Sequence, residues 1–335
     1  MDKIYLFSPN VTEDIKIAVF DSLNDRIIGQ GLKVKEFENI LKEKFDLGNV
    51  VTLNSCTSAL EIAYDLLNLK EGAEVIAPVF TCAATTVPLA RRNVKVIFAD
   101  VKDNLMLDWS DVKSKITNKT KAIINVHLFG EYNPNEDVDI PIVGDSAQHL
   151  GKTFGETFTA YSFQATKIVT TINGGALVCA YNSDYEKAKL LRWYGIDREA
   201  DVLDSDICFP GYKFDLSNIE ATMGIVGLSH LDEWKTKRTE LQMEYKKLLG
   251  DKAIGGSPFL IHVDNREEII KMLNINEVET GLVHKRNDLY SIFGGKKQNL
   301  QNMNRLEDKY LFLPCHNNMT IKDVEFISDV INKST

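Results

Sequence analysis

Apolar and polar positions along the chain fall into two alternating patterns. Residues 11–25, "VTEDIKIAVFDSLND", and 33–45, "KVKEFENILKEKF", repeat with helical periodicity and predict two amphipathic helices. A short strand follows at 49–53, "NVVTL". Directly after it, "NSCTSALEIAYDLLNL" opens with small polar residues and then places Ala59, Ile62, Ala63, Leu66 and Leu67 at helical spacing. Further strand-like runs occupy 74–77, 94–99, 121–126, 140–144, 160–163 and 176–180. Most are continuously apolar and not alternating, which predicts strands buried on both faces of a mainly parallel sheet covered by helices.

The pattern changes after residue 235. "EWKTKRTELQMEYKKLL" predicts a long charged helix that joins two units, and "TIKDVEFISDVINKS" (320–334) closes the chain as an amphipathic helix. The expected organisation is a large α/β domain over 1–235, with an N-terminal helical segment, and a smaller C-terminal α+β domain over 236–335. No internal repeat or low-complexity tract interrupts it.

Composition narrows the function classes. The 335 residues are 44% hydrophobic and 26% charged, ordinary for a globular protein. A net charge of -9 argues against a general nucleic-acid binder. The five cysteines, at 56, 82, 179, 208 and 315, form no CxxC pair and no zinc pattern. No run reaches the roughly 18 apolar residues that span a bilayer, and "MDKIYLFSPN" lacks the apolar core of a signal peptide. The expectation is a cytoplasmic protein with no metal, nucleic-acid or membrane partner.

Three features carry candidate chemistry. In "LNSCTSAL" a strand enters a helix through hydroxyl residues, so Thr57 and Ser58 are placed to hold a phosphate at a helix N-terminus; a plain cap by Asn54 or Ser55 explains the same residues. In "IPIVGDSAQHLG", Asp145 ends an apolar strand, where open α/β sheets bind ligands; a cap for a following helix is the alternative. His149 lies four residues on, too few ligands for a metal site. In "YSFQATKIVTTINGG", Lys167 is the one charge in an apolar, glycine-flanked stretch. Burial would lower its pKa, as an imine-forming lysine requires; a lysine reaching to solvent is the alternative. A phosphate cradle, a strand-end carboxylate and an activated lysine are together the parts that pyridoxal phosphate needs.

At this point the sequence resembles the DegT/StrS family of nucleotide-sugar aminotransferases, fold type I pyridoxal-phosphate enzymes. The resemblance runs nearly end to end, through "GQGLKVKEFENILKEKF", "SCTSALEIAYDLLNLKEGAEVIAPVFTCAATTVPL", "TKAIINVHLFG", "GDSAQHLG", "YSFQATKIVTTINGG", "LRWYGIDRE", "PGYKFDLSNIEATMGIVGLSHLDEW" and "LPCHNNMTIKDVE" in family order. It implies Lys167 as the lysine that holds the cofactor and Asp145 as the partner of the pyridine nitrogen. Gln148 would lie near the ring hydroxyl, with Thr57, Ser58 and Ser162 on the phosphate. Lys213 of "GYKF" would reach the cofactor phosphate of a neighbouring subunit, so a homodimer with shared sites is implied. His284, Lys285 and His316 fall in regions that the resemblance puts near the substrate, as does Arg286. A solvated charge cluster is the other reading of 284–286.

The sequence departs from the family in places. Cys82 stands where many relatives carry an aromatic residue that stacks on the ring; Phe80 is two residues off and reads equally as core. Lys213 and Asp215 replace the common asparagine and arginine of the "GY" segment. "EYNPNEDVDIPIVGD" is too short for the helix that relatives place there, and the C-terminal region is trimmed. His127 reads as a packed core histidine, and nothing identifies a base that would make Cys56 a nucleophile. A related branch replaces the lysine with histidine and dehydrates its substrate; Lys167 favours amine transfer.

The implied function is transfer of an amino group, with glutamate as donor, to a nucleotide-linked 3- or 4-keto-6-deoxy sugar, making an amino sugar for polysaccharide or glycoside biosynthesis. The alternatives are a pyridoxal-phosphate-fold sensor without turnover and a keto-cyclitol aminotransferase.

Overall fold

The computed structural model describes residues 3–334. Two helices, α1 (Glu13–Ser22) and α2 (Leu32–Phe45), precede β1 (Asn49–Leu53). Helices and strands then alternate through α3 (Cys56–Leu66), β2 (Glu74–Pro78), α4 (Ala83–Arg91), β3 (Lys95–Ala99), α5 (Trp109–Lys115) and β4 (Thr120–Val126). The link to β5 (Ile142–Ser146) contains no helix, as its length suggested. β6 (Phe158–Ser162) and β7 (Gly175–Cys179) enclose the loop that carries Lys167. The helices α6 (Asn182–Arg192), α7 (Asn218–Ser229) and α8 (Leu231–Leu249) come next. The chain ends with β8 (Ala253–Gly255), β9 (Phe259–His262), α9 (Arg266–Ile275), α10 (Gln301–Leu306), β10 (Tyr310–Leu313) and α11 (Ile321–Lys333).

Seven strands form the main sheet in the order β1-β7-β6-β5-β4-β2-β3. Only β7 runs antiparallel to its neighbours. The expectation of a mainly parallel, doubly covered sheet therefore holds, and the burial of β2, β4 and β5 explains their apolar runs. A second, three-stranded antiparallel sheet, β10-β9-β8, packs with α8, α9 and α11 around its own apolar cluster. The expected boundary at 235/236 falls inside α8, which is one continuous helix. Its Trp234 joins the cluster behind β1, β6 and β7, while Leu241, Tyr245 and Leu249 join the second one.

Two local features hold the Lys167 loop in place. α2 buries Val34, Phe37, Leu41 and Phe45 along one stripe, and Phe37 meets Phe163 with ring centroids 5.1 Å apart. On the other side, β7 begins directly against the start of α3. Ser55 pairs with Gly174 in a parallel bridge, and a Cβ on Gly175 would run into the Cys56 nitrogen and the Ser55 carbonyl group. Gly174 has a φ of +144°, a conformation that glycine adopts without strain.

Gly175→Ala therefore forces two backbones apart. Chemical denaturation is expected to show a loss of about 1–3 kcal/mol, with no loss if the two segments can separate freely.

Candidate functional site

The carboxyl ends of β5 and β6, the first turn of α3 and the 163–174 loop converge at one end of the main sheet. Ser55 caps α3: its Oγ accepts the Ser58 N–H at 3.0 Å. Of the two cap candidates, Ser55 thus takes the role. Asn54 accepts from the Ser58 hydroxyl at 2.6 Å. Thr57 and Ser58 occupy the turn itself, where free amides and the helix dipole favour an anion.

Asp145 sits inside β5 and is 3% exposed. No helix follows it, which removes the cap reading. Its Oδ1 accepts the Ala147 N–H at 3.1 Å, and its Oδ2 accepts from Thr85 Oγ1 at 2.7 Å. Because Thr85 donates to Asp145, the 2.8 Å contact between Thr81 and Thr85 has Thr81 as donor. Burial raises the Asp145 pKa, against which the Thr85 hydroxyl, the Ala147 amide and the charge of Lys167 all act. Thr85 does not stand out in the sequence; a hydroxyl in the first turn of the helix that "FTCAATT" opens is the available signal.

Lys167 lines a cavity of about 610 Å³, within the usual range for small-molecule sites. Its pKa is lowered, chiefly by desolvation; nearby Cys56, Asp145 and Cys82 pull it back up. The lysine is partly buried and has no carboxylate within ion-pair distance among the described residues. Cys56 Sγ lies 3.9 Å from Asp145 Oδ1, and burial pushes its pKa well up, so it is an inert thiol. Cys82 is an exposed thiol at the start of α4, whereas Phe80 is fully buried against Tyr310, Phe312 and His284 and belongs to the core.

Gln148, Ser162, His284 and His316 line the same cavity. Gln148 Oε1 accepts the Phe129 N–H at 3.0 Å, which leaves its amide nitrogen to donate to His284 Nε2 at 2.9 Å. Desolvation first, then the charge of Lys167, lowers the His284 pKa to about 4. His316 donates Nε2–H to the Tyr5 carbonyl at 2.9 Å, leaving a buried Nδ1 without a protein partner. Ser146 Oγ, on the cavity wall, is likewise buried and unpartnered. Such atoms cost free energy unless a ligand satisfies them.

Other expected residues lie elsewhere. Lys285 does not line this cavity; it is exposed, with Nζ 5.3 Å from the Tyr290 ring centroid, on the rim of a neighbouring hollow. His284 lines both the cavity and that hollow, so the two neighbours share the hollow and the histidine alone of the pair reaches the cavity. Arg286 is buried and structural, paired with Asp288 at 2.7 Å and Glu307 at 3.0 Å. Lys213 is half-exposed, ion-paired with Asp215 and 4.1 Å from the Trp193 ring centroid. His127 is fully buried, as the core reading held. Its Nδ1 accepts the Asn133 N–H, so Nε2–H donates to Glu156 at 2.7 Å. His149 donates Nδ1–H to the Gly130 carbonyl at 2.9 Å.

Known proteins fit this arrangement. Residues 9–332 match the family described as DegT/DnrJ/EryC1/StrS aminotransferase. The chain is 28% identical to the UDP-4-amino-4,6-dideoxy-N-acetyl-beta-L-altrosamine transaminase of Campylobacter jejuni, over 96% of this chain and 95% of that one. It is also 28% identical to the UDP-4-amino-4-deoxy-L-arabinose--oxoglutarate aminotransferase of Shewanella sediminis, covering 98% and 97%. The crystal structure of AtS13 from Actinomadura melliaura superposes with a TM-score of 0.91 at 27% identity, covering 99% of each chain. The fold is fold type I of the pyridoxal-phosphate-dependent transferases. With the match spanning nearly its whole length, the chain belongs to the DegT/DnrJ/EryC1/StrS aminotransferase family and is an enzyme of the aminotransferase class.

Proposed function

We propose that this enzyme uses pyridoxal phosphate to transfer an amino group from glutamate to a nucleotide-linked keto-6-deoxy sugar. The observation that carries the reading is Lys167: a partly buried amine with a lowered pKa, in the electrostatic reach of a buried carboxylate, on a cavity wall with unpartnered polar atoms. The donor set fits the cofactor. Thr57, Ser58 and Ser162 would hold its phosphate beside the α3 N-terminus, Asp145 its ring nitrogen and Gln148 its ring hydroxyl. Bound there, it would supply an electron sink for the carbon that exchanges its amine.

The chain's own residues do the rest. Lys167 Nζ anchors the cofactor and, when released, moves the proton as general base and acid; a depressed pKa keeps more of it neutral near pH 7. Burial raises the Asp145 pKa, and the Thr85 hydroxyl and the Ala147 amide act against that rise by favouring the charged form. Neutral His284 accepts from Gln148 and so orients that amide. We further propose a cytoplasmic homodimer, with Lys213 turned toward the neighbour's phosphate, and a smaller unit over 236–335 that walls the substrate side.

Reconstituted protein is expected to show the cofactor's visible absorption band, and borohydride treatment should fix cofactor mass on the Lys167 peptide. Lys167→Ala should lose both, together with glutamate-dependent conversion of the cofactor to its amine form. Retention of all three would sink the assignment. Asp145→Asn should keep cofactor binding but lower turnover by at least about 100-fold, the scale of a lost charge in a dry site; near-normal turnover would count against its role.

His284 gives a pH test. Its folded pKa of about 4 lies below its ordinary 6.5, so the unfolded chain binds more protons between these values. Stability due to this group is whole above pH 6.5 and declines as the pH falls toward 4. Melting temperatures of His284→Gln should therefore drop less than those of the wild type across that window; parallel curves would contradict the assigned environment.

A further inference from the structure

The side of the cavity formed by α8 is not used by the chemistry above. Lys235, Arg238, Thr239, Gln242 and Lys246 all line it, at a spacing that puts them on one helical face. Among the described residues, none of these three cations has a carboxylate within ion-pair distance. Lys235 donates to the Leu150 carbonyl at 2.7 Å. Among the described residues, Glu131 is the one acidic residue that lines the cavity. A basic wall is not a by-product of composition, because the chain carries a net charge of -9.

Arg238 is the fixed centre of this wall. Its Nε donates to Asn317 Oδ1 at 2.8 Å and its Nη1 to Ser257 Oγ at 3.1 Å. Both acceptors are themselves tied down: the Asn317 amide donates to the Trp234 carbonyl at 2.9 Å, and Ser257 Oγ to the Cys315 carbonyl at 2.6 Å. The guanidinium is thus held in one orientation, while its Nη2 has no protein acceptor among the described residues. Desolvation lowers its pKa to about 10, so the folded chain keeps a cation there against a cost. A planar guanidinium with free donors is well suited to a phosphate.

We propose that Arg238, flanked by Lys235 and Lys246 on α8, forms the subsite for the diphosphate of the sugar nucleotide. The row of cations favours this anion over the donor's carboxylate. Lys235 and Lys246 are eleven residues apart, about 16 Å along a helix, which suits an extended ligand with several charges better than a single carboxylate. The assignment rests on the proposed transferase function for the presence of a diphosphate in the substrate.

The test is calorimetric titration of the cofactor-loaded protein with inorganic pyrophosphate and, separately, with glutarate. Pyrophosphate should bind the wild type and weaken at higher salt. Arg238→Gln should weaken it about 10- to 100-fold, and Lys246→Gln several-fold, with glutarate affinity unchanged. Unchanged pyrophosphate affinity in both variants would overturn the proposal, as would an effect confined to glutarate. Should Arg238→Gln not fold, the Lys235→Gln/Lys246→Gln double variant carries the same comparison, and unaltered binding in it is equally decisive against the subsite. Cofactor retention is read first by absorbance. Its absence would count against the transferase reading; the titration, run then on the protein as purified, still decides the anion subsite.

Discussion

The close approach of β7 to the first turn of α3 is the constraint on which the site depends. Gly175 crosses Ser55 and Cys56 with no room for a side chain, and Gly174 bridges to Ser55 with a Cβ position blocked by Thr171 of its own loop. That crossing fixes the β6–β7 loop, with Lys167, relative to the helix N-terminus that carries Thr57 and Ser58. β5 lies beside β6 in the sheet, so Asp145 is set by the same register: it pairs with Ala160, two residues before Ser162. Three groups far apart in sequence are thereby placed at one end of one sheet by backbone contacts.

The electrostatics of the site are a partial compensation. Burial disfavours the charge on Asp145 and also the charge on Lys167, and the field of each restores part of what the other loses. Among the described residues neither has an ion-pair partner, so each keeps its field for the other. The hydroxyl relay from Thr81 through Thr85 to Asp145 favours the ionised acid without a cation. A positively charged ring nitrogen could then take the carboxylate as its own partner.

Much of this was legible in the sequence, for identifiable reasons. Strands buried on both faces leave continuous apolar runs, so β1, β2, β4 and β5 could be read directly; the reversed direction of β7 left no such mark. Lys167 stood out because an isolated charge in apolar sequence is costly. The choice between Asn54 and Ser55 as cap depended on backbone angles that composition does not carry. Lys285 and His284 share the smaller hollow, but of the two His284 alone reaches the cavity, a difference of side-chain direction that the sequence does not carry. α8 was read only as a connector. Its cations flank a stripe of Leu231, Trp234, Leu241, Tyr245 and Leu249, and a charged flank facing solvent has the same sequence as one facing a cavity.

That ambiguity has a physical consequence. The groups proposed for chemistry stand on strand ends and turns of the main sheet. The basic wall stands on α8, which packs into the second core, and its anchor Arg238 is braced by the 257 and 317 segments. The two walls of one cavity meet in the cluster that Leu231 and Trp234 of α8 share with Phe163 and Val169 of the lysine loop, and the far end of α8 rests on the second cluster. Loss of packing around Leu241 and Tyr245 would displace the Lys246 end of the basic wall and leave the Asp145–Thr85 bond and the α3 cap in place. The two ends of the basic wall differ in this respect: Arg238 is tied through Asn317 and Asn10 to Ile168 of the lysine loop and stands one turn from Trp234, whose cluster also holds Phe163 and Val169, whereas Lys246 stands beside Tyr245 on the second cluster.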